Sequence, residues 1–187
     1  MLRKLRLFVP VALLALGACR NQGSPVTTAT DTVSFPNVQI FLDGQLKKMD
    51  SLQASLMLYD TRNKSADSSL IGVPEARQLL APFLSNDPAT TGQYTRSVFP
   101  DSAHHRTIVS FEAEGDSTPL SRVDVFLDSG SDDIRQLYLQ YVVQAPDSSV
   151  RRQLIWKTDQ DFTLITTVDK SQYTADFRKQ KVVWKRP

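Results

Sequence analysis

The stretch "IRQLYLQYVVQAPDSSVRRQLIWKTDQDFTLITTV" (residues 134–168) decides the fold class. Apolar side chains recur at every second position, and Val, Ile, Thr, Tyr, Phe and Trp dominate. Two polar clusters, "APDSS" and "KTDQD", interrupt the rhythm. Period-two runs bounded by turn residues predict strands over 134–145, 149–158 and 161–169. The connections are too short for a crossover, so neighbouring strands must run antiparallel.

The same rhythm starts near Gln93 and adds strands over 94–99, 105–114, 120–128 and 179–185, separated by "PDSAH", "EGDSTP" and "DSGSDD". One alternating set comprises Val109, Phe111, Val123, Val125, Leu127, Leu137, Leu139, Tyr141, Val143, Leu154, Trp156, Phe162, Leu164 and Val168. It reads as the core face. The opposite set mixes Ile108, Phe126, Tyr138, Val142, Ile155 and Ile165 with Arg122, Asp124, Gln136, Gln140, Arg151, Gln153 and Thr163. A wholly solvated sheet face would be more polar. Those six apolar residues therefore mark the expected ligand-binding groove.

Before Gln93 the period is helical. Leu42, Leu46, Met49, Leu52 and Leu56 recur at steps of three and four, which predicts one amphipathic helix from Val38 to Tyr59. "DTRNKSADSS" (60–69) reads as a polar loop. Pro74 suits the first turn of a second helix carrying Ala76, Leu79, Leu80 and Phe83, with Pro82 and Asn86-Asp87-Pro88 ending it. The expected fold is α+β: two N-terminal helices packed on one face of a strongly curved antiparallel meander sheet of about seven strands. It forms a single domain over residues 34–187.

The N-terminus carries a different message. Arg3, Lys4 and Arg6 precede a run of 12 apolar or small residues, Leu7 to Ala18. That is too short for a stable span, which needs about 20, and it has the layout of a secretory signal peptide. Leu16-Gly17-Ala18-Cys19 resembles the lipobox of bacterial lipoproteins. The likeness implies cleavage between Ala18 and Cys19 and lipidation, by palmitate among other chains, of the only cysteine in the chain. A lone cysteine also excludes a disulfide within the chain. Residues 19–33 read as the lipidated cysteine and a flexible tether; twelve such residues span about 20 Å as a coil and at most about 40 Å stretched. Arg20 after the cysteine favours the outer membrane by analogy with enteric sorting.

The formal net charge of +2 belongs to this leader. Of 22 Lys and Arg, three lie ahead of Leu7; the other 19 face 20 Asp and Glu, a net of −1. A nucleic-acid partner loses its main support.

Few residues are arranged for chemistry. His104-His105 are the only histidines, and adjacent strand residues point to opposite faces. "DSGSDD" lacks the spacing and terminal Glu of an EF-hand loop and reads as a turn. Glu112 with Glu114, and Asp124 with Asp128, could serve a hydrolase only at a fixed separation across a cleft. No G-x-S-x-G, Walker A, G-x-G-x-x-G or H-E-x-x-H motif occurs. Neither a metal nor a cofactor is expected.

"FLDGQLKKMDSL" (41–52), "ARQLLAPFLSNDPA" (76–89) and "YLQYVV" (138–143), following the lipobox, resemble a group of small uncharacterised lipoproteins of Gram-negative bacteria. The resemblance implies a cell-envelope address and brings no catalytic residue. At the level of the fold plan alone, the chain is also similar to periplasmic lipoprotein carriers and receptors, whose curved sheets hold acyl chains. The expected function is thus a membrane-anchored, non-enzymatic binding or assembly module serving an envelope partner. The alternative is a carrier of a hydrophobic ligand or lipid on the mixed sheet face.

Overall fold

The structure, a computed structural model, describes residues 37–85, 94–115, 118–129, 131, 133–170 and 173–185. The lipobox, Cys19 and the tether lie outside these residues. The chain order is α1 (Val38–Ser51), β1 (Ser55–Arg62), β2 (Ser65–Ile71), α2 (Val73–Leu84), β3 (Tyr94–Asp101), a single 3-10 turn (Ser102–His104), β4 (Arg106–Ala113), β5 (Leu120–Asp128), β6 (Ile134–Ala145), β7 (Ser148–Lys157), β8 (Asp161–Lys170) and β9 (Tyr173–Lys185).

The α+β plan holds, with both helices ahead of most of the sheet. Among the described residues nine strands, rather than seven, form one antiparallel sheet in the order β2-β1-β9-β8-β7-β6-β5-β4-β3. The expected strong curvature is not matched to the point of closure: the sheet is open, with β2 and β3 as its edges.

The two additional strands come from residues expected to be helix and loop. Asn37 caps α1 by accepting a hydrogen bond from the Ile40 amide at 2.9 Å, and Val38, Leu42, Leu46 and Met49 form its buried stripe. Each such burial contributes roughly 1.5–3 kcal/mol. The helix does not reach Tyr59. Gln53 turns into the left-handed region (φ 48°), and Ala54 donates back to the Met49 carbonyl, closing the end.

Leu52 is left exposed, while Leu56 is buried from a strand instead. Its helical spacing from Leu52 is coincidental, because Leu56 belongs to the alternation of "SLMLYDTR". Asn63, also left-handed (φ 50°), makes the β1–β2 turn that short polar side chains tolerate. "DTRNKSADSS" is therefore the tip and return strand of a hairpin. This hairpin docks on the last strand of the chain, with Leu56 opposite Trp184 and Arg62 opposite Arg178.

In α2, Pro74 occupies the first turn as expected, and Glu75 accepts from the Gly72 amide at 3.0 Å. Pro82 lies within the last turn rather than ending the helix, which continues to Leu84. The Asn86-Asp87-Pro88 cluster is outside the described residues. Asp43 of α1 receives Arg77 of α2 at 2.5 Å, and Gln39 donates to the Leu84 carbonyl at 2.6 Å, so the helices are tied side by side. No helix among the described residues is long and apolar enough to cross a membrane.

Both helices cover the face assigned to the core. Val109, Phe111, Val123, Val125, Leu137, Leu139, Leu154, Trp156, Phe162 and Leu164 are all buried there, whereas Val143 is exposed near a hairpin end. The centre is an aromatic stack. Trp156 and Phe162 lie nearly parallel with centroids 5.3 Å apart, Trp184 tilts against both, and Phe41 of α1 meets Trp156 edge-on at 6.5 Å. The Trp156 Nε1 is buried with no hydrogen-bond partner among the described residues. Trp156→Ala should lower stability by about 3–5 kcal/mol in urea unfolding. Trp156→Phe should lose only about 1–2 kcal/mol, since the stack survives and the unpartnered indole N–H is removed. Equal losses would contradict the stacked arrangement.

Candidate functional site

The inner face changes character along its strands. On β7 the residues facing the helices run Trp156, Leu154, Arg152; on β8 they run Phe162, Leu164, Thr166; on β9 they run Trp184, Val182, Gln180, Arg178. The register places Arg152 opposite Thr166, Thr166 opposite Arg178, and Arg178 opposite Arg62. Three arginines and a threonine thus form one row across β7, β8, β9 and β1.

This row floors a cleft of about 390 Å³ whose far wall is α2, through Gln78, Leu79, Ala81 and Pro82. Leu164 and Gln180 close its inner end, and Val168 and Asp176 stand at its outer end. Its size is at the low end of small-molecule sites, which run about 300–1,000 Å³.

The three guanidinium groups differ in their partners. Arg178 donates from Nε to both Asp60 oxygens, at 3.0 and 3.1 Å. Arg62 reaches Asp176 at 3.4 Å. Arg152, half-buried in the same cleft, has no hydrogen-bond or ion-pair partner among the described residues. The hydrogen bond from Arg178 holds the Asp60 carboxyl below its ordinary value; partial burial opposes this, while the charges of Arg178 and Arg62 and a hydrogen bond from Gln180 reinforce it. The same hydrogen bond raises the Arg178 guanidinium, partly offset by desolvation.

Comparison with protein-family models, curated proteins and solved structures finds no match. What the cleft can do must therefore be read from its own chemistry. It offers a guanidinium, a hydroxyl and two amides beside an aliphatic wall, a combination suited to holding a ligand. It contains no histidine. His104 lies in the turn between β3 and β4, with its Nδ1 2.9 Å from Asp101, and His105 follows it in the left-handed region. Asp101 is held below its ordinary value chiefly by Arg106, with His104 second. Among the described residues no group of three or more His, Cys, Asp and Glu could hold a metal ion.

The expected groove residues lie on the opposite face of the sheet, and all six are half-buried. Ile108 faces Phe126 across β4 and β5, and Tyr138 faces Ile155 across β6 and β7. Ile165 stands opposite Gln153, and Val142 opposite Arg151. Phe126 borders a separate hollow of about 280 Å³ beneath Arg106, whose guanidinium sits 4.9 Å from the ring centroid.

Between these apolar residues runs a ladder of polar side chains. Gln153 donates to the Tyr138 hydroxyl at 2.8 Å, Tyr138 to Gln140 at 3.1 Å, and Gln140 to Ser121 at 3.1 Å. The mixed composition is accounted for by this cross-strand stitching. Three of the four paired carboxylates are likewise engaged: Asp124 accepts from Ser110 at 2.6 Å and from Arg122 at 3.0 Å, Glu114 accepts from Thr95, and Asp128 pairs with Arg135. Around the expected turn, the Ser131 amide donates to the Asp128 carbonyl and the Asp128 amide to the Asp133 carbonyl, each at 3.3 Å.

Arg62, Arg152, Arg178 and Gln180 were not singled out by the sequence reading. The signal for Arg152 was present, because the alternation that puts Leu154 and Trp156 inward puts Arg152 inward too. Arg62 gives none, since the residues of its strand have the pattern of a helix end and a polar loop.

The depressed Asp60 carboxyl sets a pH dependence. Its pairing with Arg178 contributes stability that is fully present above the unfolded carboxylate value near pH 4 and is lost as pH falls through the lower folded value. Asp60→Asn should therefore have a lower melting temperature than wild type near neutrality, and the gap should narrow between about pH 5 and pH 3. Parallel curves across that range would contradict the pairing.

Proposed function

We propose that this chain is a lipid-anchored envelope protein whose folded domain acts as a non-enzymatic binding module, with the cleft beside α2 as its site. The observation that carries the site is Arg152, a half-buried arginine without a counter-charge among the described residues, in a cleft otherwise finished by ion pairs and aliphatic side chains. A charge withdrawn from water is costly unless paired, and Arg152 is partly withdrawn. A ligand supplying the missing partner is the simplest reason to hold it there.

The lipobox and its lone Cys19 support export and attachment to the membrane through acyl chains, each buried CH₂ contributing on the order of 0.8 kcal/mol. Arg20 supports the outer membrane over the inner. The short polar tether would keep the domain, and the mouth of the cleft, close to that surface. The polar floor favours a ligand with a charged head over a wholly apolar one carried on the mixed sheet face.

One purification tests both parts. Wild-type protein from bacterial membranes should carry radiolabelled palmitate and release a small molecule on solvent extraction. Cys19→Ala should be unlabelled, and Thr166→Trp, which fills the cleft, should be labelled but empty. Unlabelled wild type would sink the anchor, and identical extracts from wild type and Thr166→Trp would sink the cleft.

A further inference from the structure

Resting on that reading of the cleft, we infer that its ligand is a compact monoanion, a carboxylate carrying a small aliphatic or aromatic body. The charge balance gives the valence. Arg62, Arg152 and Arg178 bring three positive charges, and Asp60 and Asp176 neutralise two of them through the ion pairs at Arg178 and Arg62. Among the described residues one positive charge remains, on Arg152. A dianion would carry one charge more than the cleft leaves uncompensated, since Arg178 and Arg62 are already neutralised by Asp60 and Asp176.

The geometry gives the head group. A guanidinium presents a planar fork of donors that matches a carboxylate through two parallel hydrogen bonds. Thr166, directly opposite Arg152 in the register, adds a hydroxyl at the same level, and Gln78 and Gln180 add amide groups around it.

The walls give the body. Leu79 and Pro82 on α2 face Leu164 and Val168 on the sheet across the same cleft. That is an apolar slot beside the charged floor. The slot is shallow: just beyond Leu164 the interior is filled by Leu154, Phe83 and Leu80, each 1% exposed or less. A long acyl chain would have to displace packed core, while a body the size of one ring or one branched side chain would not.

The test is calorimetric titration of the full-length chain in non-ionic detergent with 3-phenylpropionate, its neutral amide 3-phenylpropionamide, and inorganic phosphate. The carboxylate should bind, with the amide at least about tenfold weaker, as expected for losing one charge-assisted pairing, and phosphate weaker than the carboxylate. Arg152→Gln should abolish the preference for carboxylate over amide, and Arg152→Lys should restore part of it. Carboxylate binding retained in Arg152→Gln but lost in Thr166→Trp would overturn the monoanion assignment while leaving the cleft as the site. Binding retained in both variants would overturn the assignment and the site together. Equal binding of acid and amide, tighter binding of phosphate, or no binding of the carboxylate would each overturn the assignment.

Discussion

The pairing of β1 with β9 joins parts of the chain that are far apart: Asp60 meets Arg178, 118 positions away. Bringing such distant segments together costs loop-closure entropy that grows with the logarithm of the separation, and local propensity cannot offset it. The offset comes from burial. Leu56 packs at the foot of β1 opposite Trp184, which leans on the Trp156–Phe162 stack, and Val182 is fully buried beside it. At the other end of the hairpin, the Asn63 side chain donates to Asp176 and accepts from the Phe177 amide. Without this pairing β9 would be a sheet edge, Asp60 would not meet Arg178, and the cleft would lose Arg62.

From that junction the inner face follows a gradient set by the helices. α1 lies over the aromatic stack, and Phe41, Leu42, Leu46 and Met49 complete the core there. α2 continues the cover with Ala76, Leu80 and Phe83, the last against Tyr141. Its outer side, Gln78 and Pro82, stands over strands that have already turned polar. Under the helices the inner face of β7, β8 and β9 is apolar, and it is then crossed by the row of Arg152, Thr166 and Arg178. The cleft is the space between the outer side of α2, with Leu79, Ala81 and Pro82, and this polar row of the sheet.

Much of this was legible in the sequence. The seven strands from Tyr94 onward follow from period-two alternation, and the inner face was named almost residue by residue because a pleated strand allows only two faces. The hairpin was not legible. Leu52 and Leu56 fit a helical step by chance, and the polar side chains of 60–69 are those of a loop; only tertiary pairing with β9 makes them strands. The outer face is less legible for a related reason. Composition reports how apolar a face is, but not whether its polar members bond to one another, as Gln153, Tyr138, Gln140 and Ser121 do. Arg152 was the overlooked clue, a charge on the face that the same alternation had assigned to the core.

The most direct measurement of the β1–β9 register is a set of cross-strand nuclear Overhauser effects in the full-length chain. The register predicts contacts between Leu58 and Val182 and between Asp60 and Gln180. Helical amide–amide contacts running without a break from Val38 through Tyr59, or β1 contacts to a strand other than β9 and β2, would contradict it, and the cleft with it.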